Sequence, residues 1–286
     1  MLLSLLLWQT VTSAPVTALT GKFQSPRITE SSGVAVSRAH PGILWTHNDS
    51  GDGPYLYATN LQGADLGAIL VSGADAVDWE DIDLGPCPHR PGGCVYIGDT
   101  GDNAERRASV TVYAVPEPAP SVVAADTQRV TAAAKALKIR YPDGAHDVEA
   151  LYVSPRDTAV YLVSKGRSGT VRLYRLGRSA WSLHGTATAQ LVQTLPIIPK
   201  RSVGRLVTAA AIRPDGAVVV IRTYGEIYFF TPDPAGRLSP MGRPCSIEGL
   251  DRAGEAVDFL DDSTLVLTSE ADLLGRGTIH TVRCPR

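Results

Sequence analysis

Three glutamates occupy the same place in three similar stretches of the chain, and together they could bind a metal ion. Glu80, Glu149 and Glu255 each stand at the start of a short run rich in strand-forming residues, and Ser32 and Thr208 hold that place in two further runs. If the five runs lie around one axis, three carboxylates and two hydroxyls converge on it. Carboxylates this close raise one another's pKa or require a cation, and oxygen-only ligation suits calcium before magnesium. The alternative is a water-filled channel in which these groups hydrogen-bond to strand ends.

A second polar set follows the next run of each stretch, where the chain turns. Its members are His47, Asn48, Asp49, Asp52, Asp99, Asp102, Asn103, Ser164, Lys165, Arg222, Tyr224, Ser269 and Glu270. We expect a ligand-binding face formed by Asp49, Lys165, Arg222, Tyr224 and Glu270. Lys165 and Arg222 would neutralise an anionic group of the ligand, or else pair with the acidic ring. The turns at 48–52 and 99–103 resemble half of a calcium loop without the EF-hand spacing, and Asx-turn geometry alone would also select their residues.

His47 and His146 are the candidates for general acid or base catalysis. His146 is followed by Asp147 and Glu149, and a histidine near a carboxylate can titrate near neutral pH. The alternative is that each histidine is a hydrogen-bonded structural group. The chain contains no G-x-S-x-G, P-loop or HExxH pattern, which argues against serine hydrolase chemistry.

The elements that must position these residues are short strands in a repeated unit. Five copies of three strand-like runs follow one another with a period of about 50 to 60 residues, which is the range of propeller blades. Turn signals separate the first two runs of each copy, at 39–42, 91–93, 155–157, 214–216 and 261–263. The pattern predicts an all-β fold, a five-bladed β-propeller with four-stranded antiparallel blades.

A fourth, outer strand is predicted after each third run, at 65–71, 135–141, 188–195 and 238–245. The fifth copy ends without one, so we expect residues 19–28 to pair with it and close the ring, which would protect open sheet edges. A six-bladed propeller is the alternative, and it would need another blade in 118–145 or 177–205. The Ala, Ser and Pro content of those connections favours an outer strand and a surface loop.

Charge and the amino terminus bear on partners and location. The net charge is 27 − 29 = −2 with no Lys/Arg-rich run, so we expect neither nucleic acid nor an acidic membrane surface as a partner. The apolar run at 2–8 is too short to span a bilayer. A small-x-Ala pattern at 16–18 follows it. We therefore predict a signal peptide at 1–18, a secreted or periplasmic location and one propeller domain at 19–286, the alternative being a buried first strand.

An even number of cysteines in an exported chain favours disulfides. Cys87 and Cys94 flank a Pro/Gly-rich turn whose ends should return close together, which leaves Cys245 and Cys284 for each other. A zinc site is the alternative, but no CxxC pair or suitably spaced histidine supports it.

The motifs Trp-Thr-His-Asn-Asp-Ser-Gly at 45–51, Asp-Trp-Glu-Asp-Ile at 78–82 and Tyr-Ile-Gly-Asp-Thr-Gly-Asp-Asn at 96–103 resemble those of a family of secreted bacterial β-propeller proteins. In fold, the chain is also similar to the gluconolactonase and senescence-marker group and to esterase-like phytase proteins. Lactonases of that group hold one divalent ion in the channel with Glu, Asn and Asp ligands. The resemblance implies a ligand set of Glu80, Asn48, Asp99, Asn103 and Glu149. Those lactonases have six blades as a rule, whereas the repeat in this chain has five copies.

Two functions follow as expectations. The first is a binding or scaffold propeller with a divalent cation in its channel, whose polar face takes a small-molecule, glycan or protein ligand. The second is a divalent-cation-dependent hydrolase of a small ester, lactone or phosphoester, in which His47 or His146 would manage a proton. In either case we expect a monomer.

Overall fold

A computed structural model describes residues 14–120, 129–251, 253–273 and 275–285. It is a five-bladed β-propeller, as the repeat predicts. The inner strands of the blades surround a central channel. They are buried along most of their length because neighbouring blades pack against both of their faces. Among the described residues, no helix is long and apolar enough to cross a membrane.

Each blade has four antiparallel strands, ordered from the channel outward. Blade 1 contains Ser31–Val36, Leu44–Asn48, Tyr55–Thr59 and Ala68–Leu70. Blade 2 contains Trp79–Pro86, Gly93–Asp99, Val110–Pro116 and Lys135–Arg140. Blade 3 contains Val148–Val153, Val160–Ser164, Arg172–Leu176 and Gln190–Thr194. Blade 4 contains Val207–Ile212, Val219–Thr223, Glu226–Pro232 and Leu238–Pro240, with Cys245–Ser246 also paired to its third strand. Blade 5 contains Gly254–Phe259, Leu265–Ser269, Thr278–Arg283 and Val16–Lys22.

The two longest connections add strands to existing blades. Arg129–Val130 runs parallel to the outer strand of blade 1, and Ala187–Thr188 runs parallel to the outer strand of blade 2. Short 3-10 helices lie at Arg178–Ser182 and Arg201–Val203. In both cases the chain forms three strands of a new blade and then returns briefly to the edge of the preceding blade before it adds the fourth strand, which explains connections longer than a tight turn.

The ring closes by pairing the two ends of the described chain. Val16 lies opposite Arg283 and Lys22 opposite Thr278, with a bulge between Leu19 and Gly21. This strand overlaps the predicted segment 19–28 only in part, because it begins at Val16. Most of the predicted signal peptide lies outside the described residues, whereas residues 16–18 belong to the closing strand.

Buried aspartates tie the inner strands of different blades together. Asp81 accepts hydrogen bonds from the backbone N–H groups of Leu151 and Ala210, at 2.9 and 3.1 Å. Asp83 accepts from Val153 N at 2.7 Å. Asp258 accepts from Val36 N at 2.6 Å, which joins blade 5 to blade 1. These three aspartates therefore connect the blades around the channel by hydrogen bonds to the backbone.

Both predicted disulfides are present. Cys87–Cys94 closes the turn between the first two strands of blade 2, and Cys245–Cys284 links blade 4 to blade 5. The second bond lies next to the strand that closes the ring.

Candidate cation site at the channel mouth

Each inner strand has a β-bulge at the same position. In blade 1, Ser31 lies opposite Asn48 and Gly33 opposite His47, so Ser32 has no partner across the ladder. The same register shift leaves one extra residue in each of the other four blades: Glu80, Glu149, Thr208 and Glu255. The five residues aligned by the sequence repeat are therefore equivalent in the structure, and a bulge is a common way to re-aim a side chain beside a site.

Glu80 is shared by two groups of three carboxylates. One oxygen from each of Asp49, Asp78 and Glu80 lies within 4.8 Å of the others, and the same holds for Glu80, Asp147 and Glu149. We call these the first and the second triad. Calcium bonds oxygen at about 2.3–2.6 Å, so oxygens that share one ion lie up to roughly 5 Å apart. Both triads have the spacing of a cation site.

The carboxylates of the first triad repel one another in a partly dry environment. Burial, followed by the negative charges of Glu149 and Asp49, raises the pKa of Glu80 well above its usual value. Burial and Asp49 raise the pKa of Asp78 to about 7. On blade 5, burial and the charges of Glu255 and Asp49 raise the pKa of Glu270 to about 7. At neutral pH, protonation of these carboxylates or binding of a cation would relieve their repulsion and stabilise this face of the propeller.

The turn after the second strand of blade 2 packs directly against the first triad. A β-carbon on Gly101 would lie 2.0 Å from Glu80 Oε1 and 2.5 Å from Asp78 Oδ2. Gly101 N also donates to the Asp78 carbonyl at 3.2 Å, and Arg107 fixes the turn by donating to Gly101 O at 2.7 Å and Asp99 Oδ1 at 2.9 Å. Only glycine leaves space for the carboxylates as they stand.

The second triad carries two internal cations. Lys165 Nζ lies 2.6 Å from Glu149 Oε2, and the Arg167 guanidinium bonds to Asp147. Lys165 lies 5.9 Å from the centre of the Tyr224 ring, whose hydroxyl donates to Glu255 Oε1 at 2.9 Å. The structure thus brings together Glu80, Glu149 and Glu255 with the predicted ligand-binding residues Asp49, Lys165, Tyr224 and Glu270.

Arg222 lies inside the propeller, whereas the sequence analysis placed it on the exposed ligand-binding face. It is fully buried, and its Nη2 forms two bonds of 2.9 and 2.8 Å to the carboxylate of Asp251. Its Nη1 donates to the carbonyls of Ala256 and Thr268. Gly254 makes room for the guanidinium, since a β-carbon there would lie 1.7 Å from Nη2. Arg222 therefore ties blade 4 to blade 5.

Neither histidine lies among the carboxylates of the triads. His47 is fully buried against the edge of Trp79, its Nδ1 lies 2.8 Å from the Asn48 carbonyl, and burial lowers its pKa to about 4. His146 stacks on Tyr174, with Nε2 3.2 Å from Asp143. A neutral, enclosed His47 does not suit proton transfer at the channel mouth.

Three residues implied as ligands have other contacts. The Asn48 side chain accepts from Thr29 N and Glu30 N and donates to the Arg27 carbonyl and to Asp52. Asp99 pairs with Arg107, and Asn103 accepts from Arg167. Of the three, the carboxylate Asp99 belongs to neither triad.

Comparison of the five repeats in the sequence did not identify Asp78 and Asp147 as members of the triads. Each stands two residues before a bulge glutamate, in the repeated pattern Asp-x-Glu at 78–80 and 147–149. That repeat was the available signal, because it places a second carboxylate immediately before the inner strands Trp79–Pro86 and Val148–Val153.

No family model and no curated protein matches the sequence. The fold is similar to that of the PQQ-bound form of an aldose sugar dehydrogenase from Streptomyces coelicolor, with a TM-score of 0.52 and 12% identical residues. The match covers 96% of this chain and 100% of that one. At this level of sequence identity the similarity supports the fold alone, and it agrees with the propeller geometry described above.

Proposed function

We propose that the protein is a calcium-binding β-propeller that presents a divalent cation at the channel mouth to an oxygen-rich ligand. The observation that carries this proposal is the sharing of Glu80 by two carboxylate triads whose oxygens lie within 4.8 Å of one another. The close packing of Gly101 on Glu80 and Asp78 is independent support, because the turn has no room for a side chain at the point where the carboxylates converge.

The first triad is the better place for the cation. Among the described residues, Asp49, Asp78 and Glu80 form no salt bridge with a lysine or arginine, whereas Glu149 and Asp147 do. Three carboxylates suit a hard divalent ion, and backbone oxygens or water would complete its shell. When bound, the cation would offer open coordination positions to hydroxyl, carbonyl or carboxylate oxygens of a ligand.

A calcium titration of Glu80→Gln tests this proposal. The native chain should bind calcium, and the variant should lose at least tenfold in affinity, about 1.4 kcal/mol, because the amide removes a charge common to both triads. Glu248→Gln is the matched control, since Glu248 is exposed and lies outside both triads. Equal calcium affinity in the native chain and Glu80→Gln would contradict the proposal.

A second candidate is a cation-dependent hydrolase of a small ester, lactone or phosphoester. The arrangement that favours it is the position of Glu270 beside Asp49 and Glu255 at the channel mouth, outside both triads. Burial and these neighbouring charges raise the pKa of Glu270 to about 7, which suits a general acid or base. Turnover of such substrates that is lost on chelation and reduced in Glu270→Gln would support the enzyme. A chain that binds calcium and a glycan or peptide without turnover would be a binding module.

We further propose that the protein is exported. The two disulfides support this, because such bonds persist in oxidising compartments. Recovery of the protein from the culture medium or periplasm with both bonds intact tests the proposal, and accumulation in the reducing cytoplasm with free thiols would oppose it.

A further inference from the structure

We infer that Lys165 is a built-in replacement for a second divalent cation, so that the channel mouth takes one ion where its carboxylates could hold two. This inference rests on the proposed function, since it concerns the second of the two triads that share Glu80.

The symmetry of the propeller identifies Lys165 as the counterpart of a predicted ligand. The residue that follows the second strand of each blade is Asp49, Thr100, Lys165, Tyr224 or Glu270. Asp49 in blade 1 supplies one oxygen of the first triad. At the same position of blade 3, the chain supplies an ammonium group instead of a carboxylate.

The ammonium lies where a second ion would have to bind. Lys165 Nζ is 2.6 Å from Glu149 Oε2, which is one of the three carboxylates of the second triad. Arg167 bonds to Asp147, the second member. Only Glu80 remains without a salt bridge among the described residues, and it belongs to the first triad as well.

The backbone fixes Lys165 between two blades. Its N–H donates to the Asp147 carbonyl at 2.9 Å, and its carbonyl accepts from Val207 N at 3.1 Å. The residue is only 8% exposed, and the Tyr224 ring covers one side of the ammonium. A buried lysine held in this way has little freedom to move aside for a metal ion.

A buried carboxylate oxygen of Glu255, which interacts electrostatically with Lys165, lacks a hydrogen-bond partner. Glu255 is 8% exposed, and its Oε2 has no hydrogen-bond partner although Oε1 accepts from Tyr224. Thr208 Oγ1, on the neighbouring bulge, is also buried without a partner. Both oxygens belong to bulge residues of the inner strands and have lone pairs available to a cation.

The test is calcium titration by calorimetry, with calcium chloride as the probe and the stoichiometry as the readout. The native chain should bind one ion, and Lys165→Met should bind two. Lys138→Met is the matched control, because Lys138 is exposed on the outer strand of blade 2, and it should bind one. In the double variant Lys165→Met with Glu149→Gln, the missing positive charge is balanced, so one ion is again expected.

The outcomes separate this inference from the proposed function. One ion in both the native chain and Lys165→Met, with unchanged affinity, would overturn the inference and leave the proposed function intact. No ion in the native chain but one in Lys165→Met would overturn the proposed function and support only the part of the inference in which the ammonium replaces a cation. No ion in either chain would overturn both.

Loss of folding is itself informative. If Lys165→Met folds only when calcium is added, a divalent ion has replaced the ammonium and the inference is supported. If Lys165→Met stays unfolded with calcium while the charge-balanced double variant folds, a divalent ion cannot replace the ammonium and the inference is wrong.

Discussion

Substituting Gly101 by alanine should weaken calcium binding while leaving the fold intact. The added β-carbon would lie 2.0 Å from Glu80 Oε1. Real β-carbons stay at least 3.0 Å from such atoms, so the Glu80 oxygen must retreat by at least 3.0 − 2.0 = 1.0 Å. Calcium–oxygen bonds vary only between about 2.3 and 2.6 Å, so a shift of this size removes Glu80 as a ligand. We expect at least a tenfold loss of affinity, about 1.4 kcal/mol.

The decrease in the free energy of unfolding of Gly101→Ala should be smaller than this close contact would suggest. The atoms in the way are the ends of the flexible side chains of Glu80 and Asp78, which can rotate, unlike a packed core where overfilling costs about 1–3 kcal/mol. Gly101 is not among the glycines with a left-handed backbone, so alanine introduces no backbone strain. Replacing glycine also lowers the entropy of the unfolded chain, which offsets about 0.4–1 kcal/mol.

Calorimetric titration with calcium, combined with thermal melts in chelator, measures both effects. Gly93→Ala is the matched control, because its new β-carbon would meet nothing closer than Glu117 Oε2 at 3.8 Å. Native calcium affinity in Gly101→Ala would show that Glu80 is not a ligand, and an equal loss of affinity in both variants would show that the clash is not the cause.

Three further predictions concern the stability of the propeller. Without calcium, the melting temperature should be higher at pH 5 than at pH 8, because the raised pKa of about 7 at Asp78 and Glu270 gives a contribution that is complete below the unfolded value near 4 and is lost as the pH rises through 7. These two carboxyls together should outweigh buried His47, whose pKa is lowered to about 4 and which loses stability as the pH falls; a higher melting temperature at pH 8 in chelator would contradict the prediction. Cys245→Ser should lower the free energy of unfolding by about 3–4 kcal/mol, because the bond closes a 39-residue separation; urea unfolding measures this, and a change below about 1 kcal/mol would refute it. Arg222→Met should lower the free energy of unfolding by about 3–5 kcal/mol, because it leaves the buried Asp251 carboxylate unpaired. The double variant Arg222→Met with Asp251→Asn should recover part of this loss. A double variant no more stable than Arg222→Met would count against the ion pair as the cause.

The repeat in the sequence was sufficient to predict the fold and the equivalent positions of the central glutamates. Glu80, Glu149 and Glu255 each begin the same kind of strand and precede the same kind of turn signal. Aligning the copies therefore placed them correctly, although the bulge that makes them equivalent has no sequence signature of its own. Closure by the first strand followed from the missing outer strand of the fifth copy, and the structure bears this out at Val16–Lys22.

The expected and observed burial of polar residues differ where one or two residues along a strand decide the environment. A strand rises about 3.3 Å per residue, so two residues move a group by about 7 Å, from the channel mouth into the space between blades. Asp49 and Tyr224 follow the ends of their strands and lie near the mouth, whereas His47 and Arg222 each stand two residues earlier, inside the strand, and are buried. A list of polar residues near a strand end does not distinguish the two environments, because strand boundaries are uncertain by a residue or more from sequence alone.

The cation site at the channel mouth is tested most directly by an anomalous difference map from crystals grown with terbium in place of calcium. We predict one strong peak within bonding distance of the carboxylates of Asp49, Asp78 and Glu80. A map with no peak there, or with its strongest peak away from Glu80, would contradict the assignment of the channel mouth as a cation site.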